Sequence, residues 1–390
     1  MPGARTYLDY NATAPVLPDA RQAAVEALAL VGNPSSIHAE GREARSVVEK
    51  ARASVAALMG VPADRVVFTS GGTEGAILAL QPAMTGAGHR LLTAAGEHPC
   101  VLQGHGFDPA DTATVALRGD GTLDLDDLQA HLSGSGGRAV TLALQAANNE
   151  TGAIQPLAEA SALVRAHGGA IVCDAVQAAG RMDCIALRDH ADFVVLSGHK
   201  MGGVKGAGAL ICVKEPPNPK AAVIRGGGQE RGLRAGTENV SAIAAFGAAA
   251  DWTMENTGAE AGRLATLRDC FERELVSRHA EAVIFAAGAP RLPNTSAFAI
   301  EGVSAETLLI ALDLAGLAVS SGSACSSGKV KSSHVLEAMG IDPRLAMGAI
   351  RVSLGHGSRE SDIHVLLAGL DTALTRMKKR NAPSTMPSAA

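Results

Sequence analysis

Along residues 40–59, Ala44, Val47, Val48, Ala51, Val55 and Leu58 recur at the three- and four-residue spacing of a single helix face. Gly60 and then Pro62 follow, and both end helices readily. Beyond them the period changes to short β-branched runs: Val66–Thr69, Leu91–Thr93, Ala139–Leu144, Ala170–Cys173, Asp192–Leu196 and Ala207–Val213. These runs are apolar on both faces instead of alternating, as expected of strands sandwiched between helices. Helical segments such as 156–167 separate several of them, so the pattern predicts an α/β body with a mostly parallel sheet. The rhythm differs after residue 255. A charged amphipathic helix is predicted over 260–280. Strand at 296–300, helix at 304–315, strand at 317–320, helix at 334–340, strand at 350–354 and helix at 359–378 follow, which read as a smaller α+β lobe. The chain divides on this reading into a large α/β domain, 15–255, and a small α+β domain formed by 1–14 plus 256–390.

Composition adds a constraint on packing. The 390 residues are 47% hydrophobic, yet they include only one Trp, two Tyr and seven Phe. Such a core is built from Ala, Val, Leu and Ile, and its helices must approach closely. The net charge is −5, and the basic run Lys378-Lys379-Arg380 is short. With neither a basic stripe nor an aromatic stacking platform, no nucleic-acid partner is expected. No apolar run approaches the ~18 residues that span a bilayer, and the N-terminus lacks the apolar centre of a signal peptide. The expectation is a soluble, cytoplasmic protein without membrane association. The six cysteines form no Cys-x-x-Cys pair, which argues against a zinc ribbon, a redox dithiol or a disulfide framework; no metal is expected. Cys173, Cys184, Cys212 and Cys270 sit in apolar surroundings, whereas Cys325 lies in the polar stretch Ser320-Ser-Gly-Ser-Ala-Cys-Ser-Ser-Gly328.

Ligands of open α/β sheets bind outside the carboxyl ends of the strands, so the residues just after each predicted strand carry the chemistry. They are Ser70-Gly-Gly-Thr-Glu74, Glu97-His98, Asn148-Asn-Glu-Thr-Gly152, Asp174 with Gln177, and Ser197-Gly-His-Lys200. Taken alone, Ser70-Gly-Gly-Thr reads equally as a turn with a helix cap or as an anion site at a helix N-terminus. Five polar strand ends on one sheet edge, holding an acid, a histidine and a lysine, read together as a site. The Gly-x-Gly-x-x-Gly of a dinucleotide fold is missing, and Gly322–Lys329 has neither the spacing nor the hydroxyl of an ATP P-loop. Pyridoxal 5'-phosphate fits: it asks for a lysine amine, an acid on its ring nitrogen and a phosphate site.

The chain resembles the cysteine desulfurases of the NifS/IscS type, in the class V aminotransferase group. Matching stretches are Tyr7-Leu-Asp-Tyr-Asn-Ala-Thr13, Gly32-Asn-Pro-Ser35, Phe68-Thr-Ser-Gly-Gly-Thr-Glu74, Glu97-His98, Asn148–Gly152, Asp174-Ala-Val-Gln177 and Ser197–Lys200. Gly226–Gly232, Arg234-Ala-Gly-Thr-Glu-Asn239, Ser320–Cys325 and Ile350-Arg-Val-Ser-Leu354 continue the series. The resemblance implies fold type I of the pyridoxal-phosphate-dependent transferases. It implies that Lys200 forms the Schiff base with the cofactor, Asp174 pairs with its ring nitrogen, His98 stacks on the ring and shuttles protons, and Gln177 donates to its phenolic oxygen. Gly72, Thr73, Ser197 and His199 would hold the phosphate. Thr237 would reach the phosphate of the other subunit, which makes a homodimer with a shared active site. Asn149 and Arg351 would bind the substrate carboxylate, Arg351 through its planar fork. Cys325 would take sulfur from L-cysteine as a persulfide, leaving L-alanine, and deliver it to a sulfur-acceptor protein, such as an Fe–S scaffold, or to thio-cofactor synthesis.

Two departures stand out. The helix after Thr73-Glu74 continues as apolar Gly75-Ala-Ile-Leu, and residues 76–120 are Gly/Ala-rich, with Gly104-His-Gly-Phe-Asp-Pro109 matching nothing in the family pattern. Competing readings are a selenocysteine lyase or an aminotransferase on the same scaffold, and a non-catalytic scaffold protein that keeps the fold. The cysteine motif favours the desulfurase over the first pair; Lys200, Asp174 and His98 speak against the last.

Overall fold

The computed structural model describes residues 5–214, 218–322 and 332–381, with 378–381 described by backbone alone. Its strands are β1 (Thr6–Tyr7), β2 (Val66–Thr69), β3 (Arg90–Ala94), β4 (Thr112–Val115), β5 (Val140–Gln145), β6 (Ala170–Asp174) and β7 (Phe193–Ser197). They continue with β8 (Gly208–Cys212), β9 (Ala282–Ile284), β10 (Thr295–Ile300), β11 (Leu317–Ala318), β12 (Ser320–Ser321) and β13 (Ile350–Ser353).

A seven-stranded sheet in the order β2-β8-β7-β6-β5-β3-β4 forms the centre. β3, β4, β5, β6 and β7 pair in parallel, while β8 runs antiparallel to both β7 and β2. Only β8 is reversed, so the carboxyl ends of β2, β3, β5, β6 and β7 share one edge. β2, β5 and β8 are buried along their whole length, which explains their unbroken apolar pattern. The predicted runs match these strands to within a residue or two. β4 escaped the pattern because Thr112–Thr114 is half exposed at the sheet edge.

The helix Ala39–Met59 ends at Gly60, whose φ of 62° is the left-handed geometry a C-terminal glycine accommodates. It packs on the helix Val240–Arg278 with the close approach that the aromatic-poor composition demands: a Cβ at Gly247 would fall 2.6 Å from Ala51 Cα. Val240–Arg278 is one continuous 39-residue helix. Its first half buries Ile243, Phe246, Ala249 and Ala250 against the seven-stranded sheet. Its second half buries Leu264, Leu267, Phe271 and Leu275 in a separate core with Phe298, Leu308, Val352 and Leu366. That second core lies under an antiparallel sheet in the order β12-β13-β10-β9, beside the parallel pair β1-β11.

The segment between β8 and the long helix is tied down by charge. Arg52 makes a two-pronged pair with Glu230, each contact at 2.7 Å, and Glu230 also accepts the Phe68 N–H at 2.8 Å. Both side chains are buried, and Glu230 and the neighbouring Arg231 are held at φ 45° and 57°. Removing one partner strands the other charge in the interior, a cost of about 3–5 kcal/mol. Arg52→Met is therefore expected to lower the folding free energy by about 3–5 kcal/mol, read as a shift of the urea midpoint at unchanged slope. A loss below about 1 kcal/mol would show the pair to be solvated.

Candidate active site

A cavity of about 290 Å³ opens at the shared carboxyl edge of the sheet. β2 leads through Ser70-Gly71 into the helix Gly72–Ala79, whose cap residue Gly71 supplies no side-chain hydrogen bond to the first turn. Its leading N–H groups and the positive end of the helix dipole are thus offered to an anion. Gly72 and Thr73 line the cavity, and a Cβ at Gly72 would lie 2.8 Å from Val176 Cγ2, so glycine lets this backbone come close. Ser197 and His199, from the end of β7, line the same part of the wall. His199 Nδ1 lies 3.1 Å from Thr13 Oγ1. Burial first, then the charges of Lys200 and Lys205, lower its pKa to about 4, so at neutral pH it is an uncharged ring able to donate one hydrogen bond.

Lys200 Nζ donates to the carbonyls of Asn11 and Ala12, at 2.5 and 2.8 Å. Asp174, at the end of β6, is half-buried, and its Oδ1 accepts the Val176 N–H at 2.9 Å. Burial raises its pKa, and the Val176 hydrogen bond and the charges of His98 and Lys200 pull it back. A carboxylate placed so deep is stabilised by a cationic donor entering the cavity. His98 caps the short helix Pro99–Leu102: its Nδ1 accepts the Cys100 N–H at 3.2 Å and lies 3.0 Å from Cys100 Sγ. With Nδ1 accepting, the neutral ring keeps its proton on Nε2. Burial lowers the His98 pKa, partly offset by Asp174.

Gln177 and Asn149 complete the wall with Arg351 from β13. Arg351 donates from Nη1 to the Asn149 carbonyl at 3.0 Å and from Nη2 to Asp9 at 2.8 Å. Its buried Nε has no hydrogen-bond partner among the described residues. The residues named from sequence therefore meet around one cavity, with two exceptions. Thr237 is exposed on the segment before the long helix and does not line this cavity. Cys325 lies outside the described residues.

Asn11, Ala12, Gln145 and Cys100 also line the cavity and were not singled out from sequence. Asn11 and Ala12 sit in the Tyr7–Thr13 motif, where a polar residue directly after a short strand was the available signal. The apolar turn Gly75-Ala-Ile-Leu that departs from the family pattern packs beneath the sheet: Ala76 and Leu78 are buried there with Val67 and Val195. Gly104 allows the chain to pass over the Cys100 carbonyl, 2.3 Å from where a Cβ would stand.

The family model for class-V aminotransferases matches residues 6–366. A cysteine desulfurase of Cereibacter sphaeroides is 38% identical over 96% of this chain and 97% of its own length. The cysteine desulfurase IscS of Dictyoglomus turgidum is 35% identical over 95% of each. The chain belongs to the class-V aminotransferase family, in its NifS/IscS-type cysteine desulfurase branch. A solved NifS-like protein from Rickettsia africae superimposes on this class-V chain with a TM-score of 0.85 at 31% identity, covering 95% of this chain and 99% of that one. The fold is accordingly type I of the pyridoxal-phosphate-dependent transferases, as the sequence led us to expect. The donor set fits that cofactor: an uncapped helix start for phosphate, a half-buried acid and a lysine amine on one cavity.

Cys100 shares this wall without sharing its reactivity. Burial, and then Asp174 and Glu97, push its thiol up to about 12. It is thus a neutral thiol at pH 8, where an ordinary cysteine is partly thiolate. Its alkylation by iodoacetamide at pH 8, mapped by mass spectrometry on the native protein, is expected to run at least ~100-fold slower than that of a free cysteine. Labelling at the free-thiol rate would contradict the burial.

Proposed function

We propose that this protein is a pyridoxal-phosphate-dependent cysteine desulfurase that takes sulfur from L-cysteine, leaves L-alanine and holds the sulfur as a persulfide on Cys325. One observation carries the reading: Lys200, Asp174, His98 and an uncapped helix N-terminus surround a single cavity. When bound, the cofactor draws off the electron pair left on a substrate Cα after a bond there breaks.

The side chains have these tasks. Thr73, Ser197, His199 and the Gly72 amide bind the phosphate, and neutral His199 does so as a single hydrogen-bond donor. Lys200 would supply the amine that anchors the cofactor and a base beside the substrate Cα. Asp174 accepts the ring N–H and keeps it protonated, because without that partner the carboxylate is costly to bury. Gln177 donates to the phenolic oxygen. His98 covers the ring, with Nε2 facing away from its Cys100 contacts to carry protons. Arg351 and the Asn149 side chain take the substrate carboxylate. The Cys325 thiolate then attacks the substrate sulfur. A Cys325 S–S bond forms, the substrate Cβ–S bond breaks with its electron pair passing to Cβ, and a proton delivered to Cβ together with the one returned to Cα completes alanine. A thiol reductant releases the outer sulfur as sulfide and restores Cys325.

The same reading includes a homodimer in which Thr237, exposed on one subunit, completes the phosphate site of the other. It includes two domains joined through the long helix near residue 255, a cytoplasmic setting, and a sulfur-acceptor protein serving Fe–S cluster or thio-cofactor synthesis. No described helix is long and apolar enough to cross a membrane.

Purified protein incubated with L-cysteine and dithiothreitol is expected to form alanine and sulfide in equal amounts. Lys200→Ala and Cys325→Ala should each lose at least ~100-fold in rate, the scale seen when a nucleophile or base is removed. Lys200→Ala should also lose the visible absorption of lysine-bound cofactor. Full turnover by Cys325→Ala would sink the persulfide step, and keto-acid-dependent amino transfer would make the protein an aminotransferase.

A further inference from the structure

Four residues beyond Gln177 lies a buried charge with no task in the reaction just described. Arg181 is 6% exposed. Among the described residues no carboxylate forms an ion pair with it: the influences on its charge are burial and the like charge of Arg351. Glu260, which lines the same small second cavity, is paired with Arg263 at 2.7 Å. Burial lowers the Arg181 pKa to about 10, so the guanidinium is still charged at neutral pH. An unpaired cation is an expensive way to satisfy the carbonyls of a turn.

The Gln177 amide gives it a use. Arg181 Nη1 donates to Gln177 Oε1 at 2.9 Å and to the Gln177 carbonyl at 2.7 Å, and Nη2 lies 3.4 Å from the Tyr10 carbonyl. On its other side, Gln177 Nε2 donates to the Asn11 carbonyl at 3.0 Å. A guanidinium can only donate and a carbonyl can only accept. Both neighbours therefore demand the same orientation of the amide, and flipping it would set donor against donor and acceptor against acceptor. The second N–H on Nε2 is left for the cavity that Gln177 lines.

We propose that Arg181 is a positioning residue: it locks the Gln177 amide so that an N–H, and not its oxygen, serves the cavity, and it backs that N–H with positive charge. The inference rests on the cofactor reading above, in which this N–H meets an anionic ring oxygen. A polarised donor there steadies the oxygen's negative charge and favours the less positive form of the lysine-bound cofactor.

The test saturates wild type, Arg181→Lys, Arg181→Met and Arg181→Gln with pyridoxal phosphate and titrates the visible band with pH. His98, Asp174, His199, Cys100 and Arg351, which share the cavity with Lys200, and Glu97, His334 and Lys205, which act on those groups, are unchanged in all four. Losing the cation should raise the midpoint by roughly one pH unit in Arg181→Met. Arg181→Gln, which can hydrogen-bond either face of the amide, should behave alike and carries the test if the Met variant does not fold. Arg181→Lys, still a pure donor, should stay within about a third of a unit of wild type. In a Gln177→Leu background the Arg181→Met shift should shrink at least twofold. An unmoved midpoint in a folded Met or Gln variant overturns the proposal, as does an equal shift with and without Gln177. A wild-type protein with no visible band overturns the cofactor reading, and this inference with it.

Discussion

The backbone carbonyl of Asn11 accepts hydrogen bonds from two cavity side chains, Lys200 and Gln177. Its residue is also one of the points where the seven-stranded and four-stranded sheets are joined. The Asn11 N–H donates to Ser353 Oγ, its side-chain nitrogen donates to Thr295 and to the Asn149 carbonyl, and its side-chain oxygen accepts from Asn294. Tyr10, Ala12 and Thr13 on either side receive or meet Arg181, Lys200 and His199. Four consecutive residues, Tyr10 to Thr13, thus set the positions of groups that follow β6 and β7 and meet Ser353 of β13. Any slip of this segment relative to the large sheet would move Lys200, the Gln177 amide and His199 together.

That dependence follows from how the fold handles burial. Five strands ending at one edge bring Glu97, Asp174, His98 and Lys200 close together and partly or wholly out of solvent, where each charge is costly unless matched. Glu97 is entirely buried, and burial with the nearby Asp174 pushes its pKa well up. One of its oxygens accepts the Gln145 N–H, while the other has no partner among the described residues. Glu97 and Asp174, both pushed up by burial, describe a wall that holds negative charge poorly. On the proposed reading, the cofactor's ring N–H supplies the positive partner that lets Asp174 keep its own.

The large sheet was legible because parallel strands covered on both faces must be apolar throughout, and Val66–Thr69 or Ala139–Leu144 could fold as little else. The strand-end residues were legible for the complementary reason: Asp174 and Lys200 interrupt apolar runs at positions where no core needs them. Other features leave no local trace. The reversal of β8 depends on its two neighbours and not on its own apolar pattern. The helix predicted from residue 260 begins at Val240, because its first half is too uniformly Ala-rich to show an amphipathic period. Asn11 and Arg181 act through contacts 166 and 171 residues apart in the chain, which no spacing rule detects.

Arg351 shows how a site can be held ready without being used up. The guanidinium has five N–H donors, and Asp9 and the Asn149 carbonyl each engage one. Those two contacts fix the plane of the fork and neutralise its charge, so the side chain is ordered before a substrate arrives. Three donors remain, including the buried, unpartnered Nε. A carboxylate entering the cavity therefore meets a group whose ordering cost was met on folding, yet which keeps an unmet demand for acceptors. Asp9 comes from the same N-terminal segment as Asn11. The segment that fixes Lys200 and Gln177 on one side of the cavity thus also orients the fork on the opposite sheet, and the geometry of the two halves is set by one piece of chain.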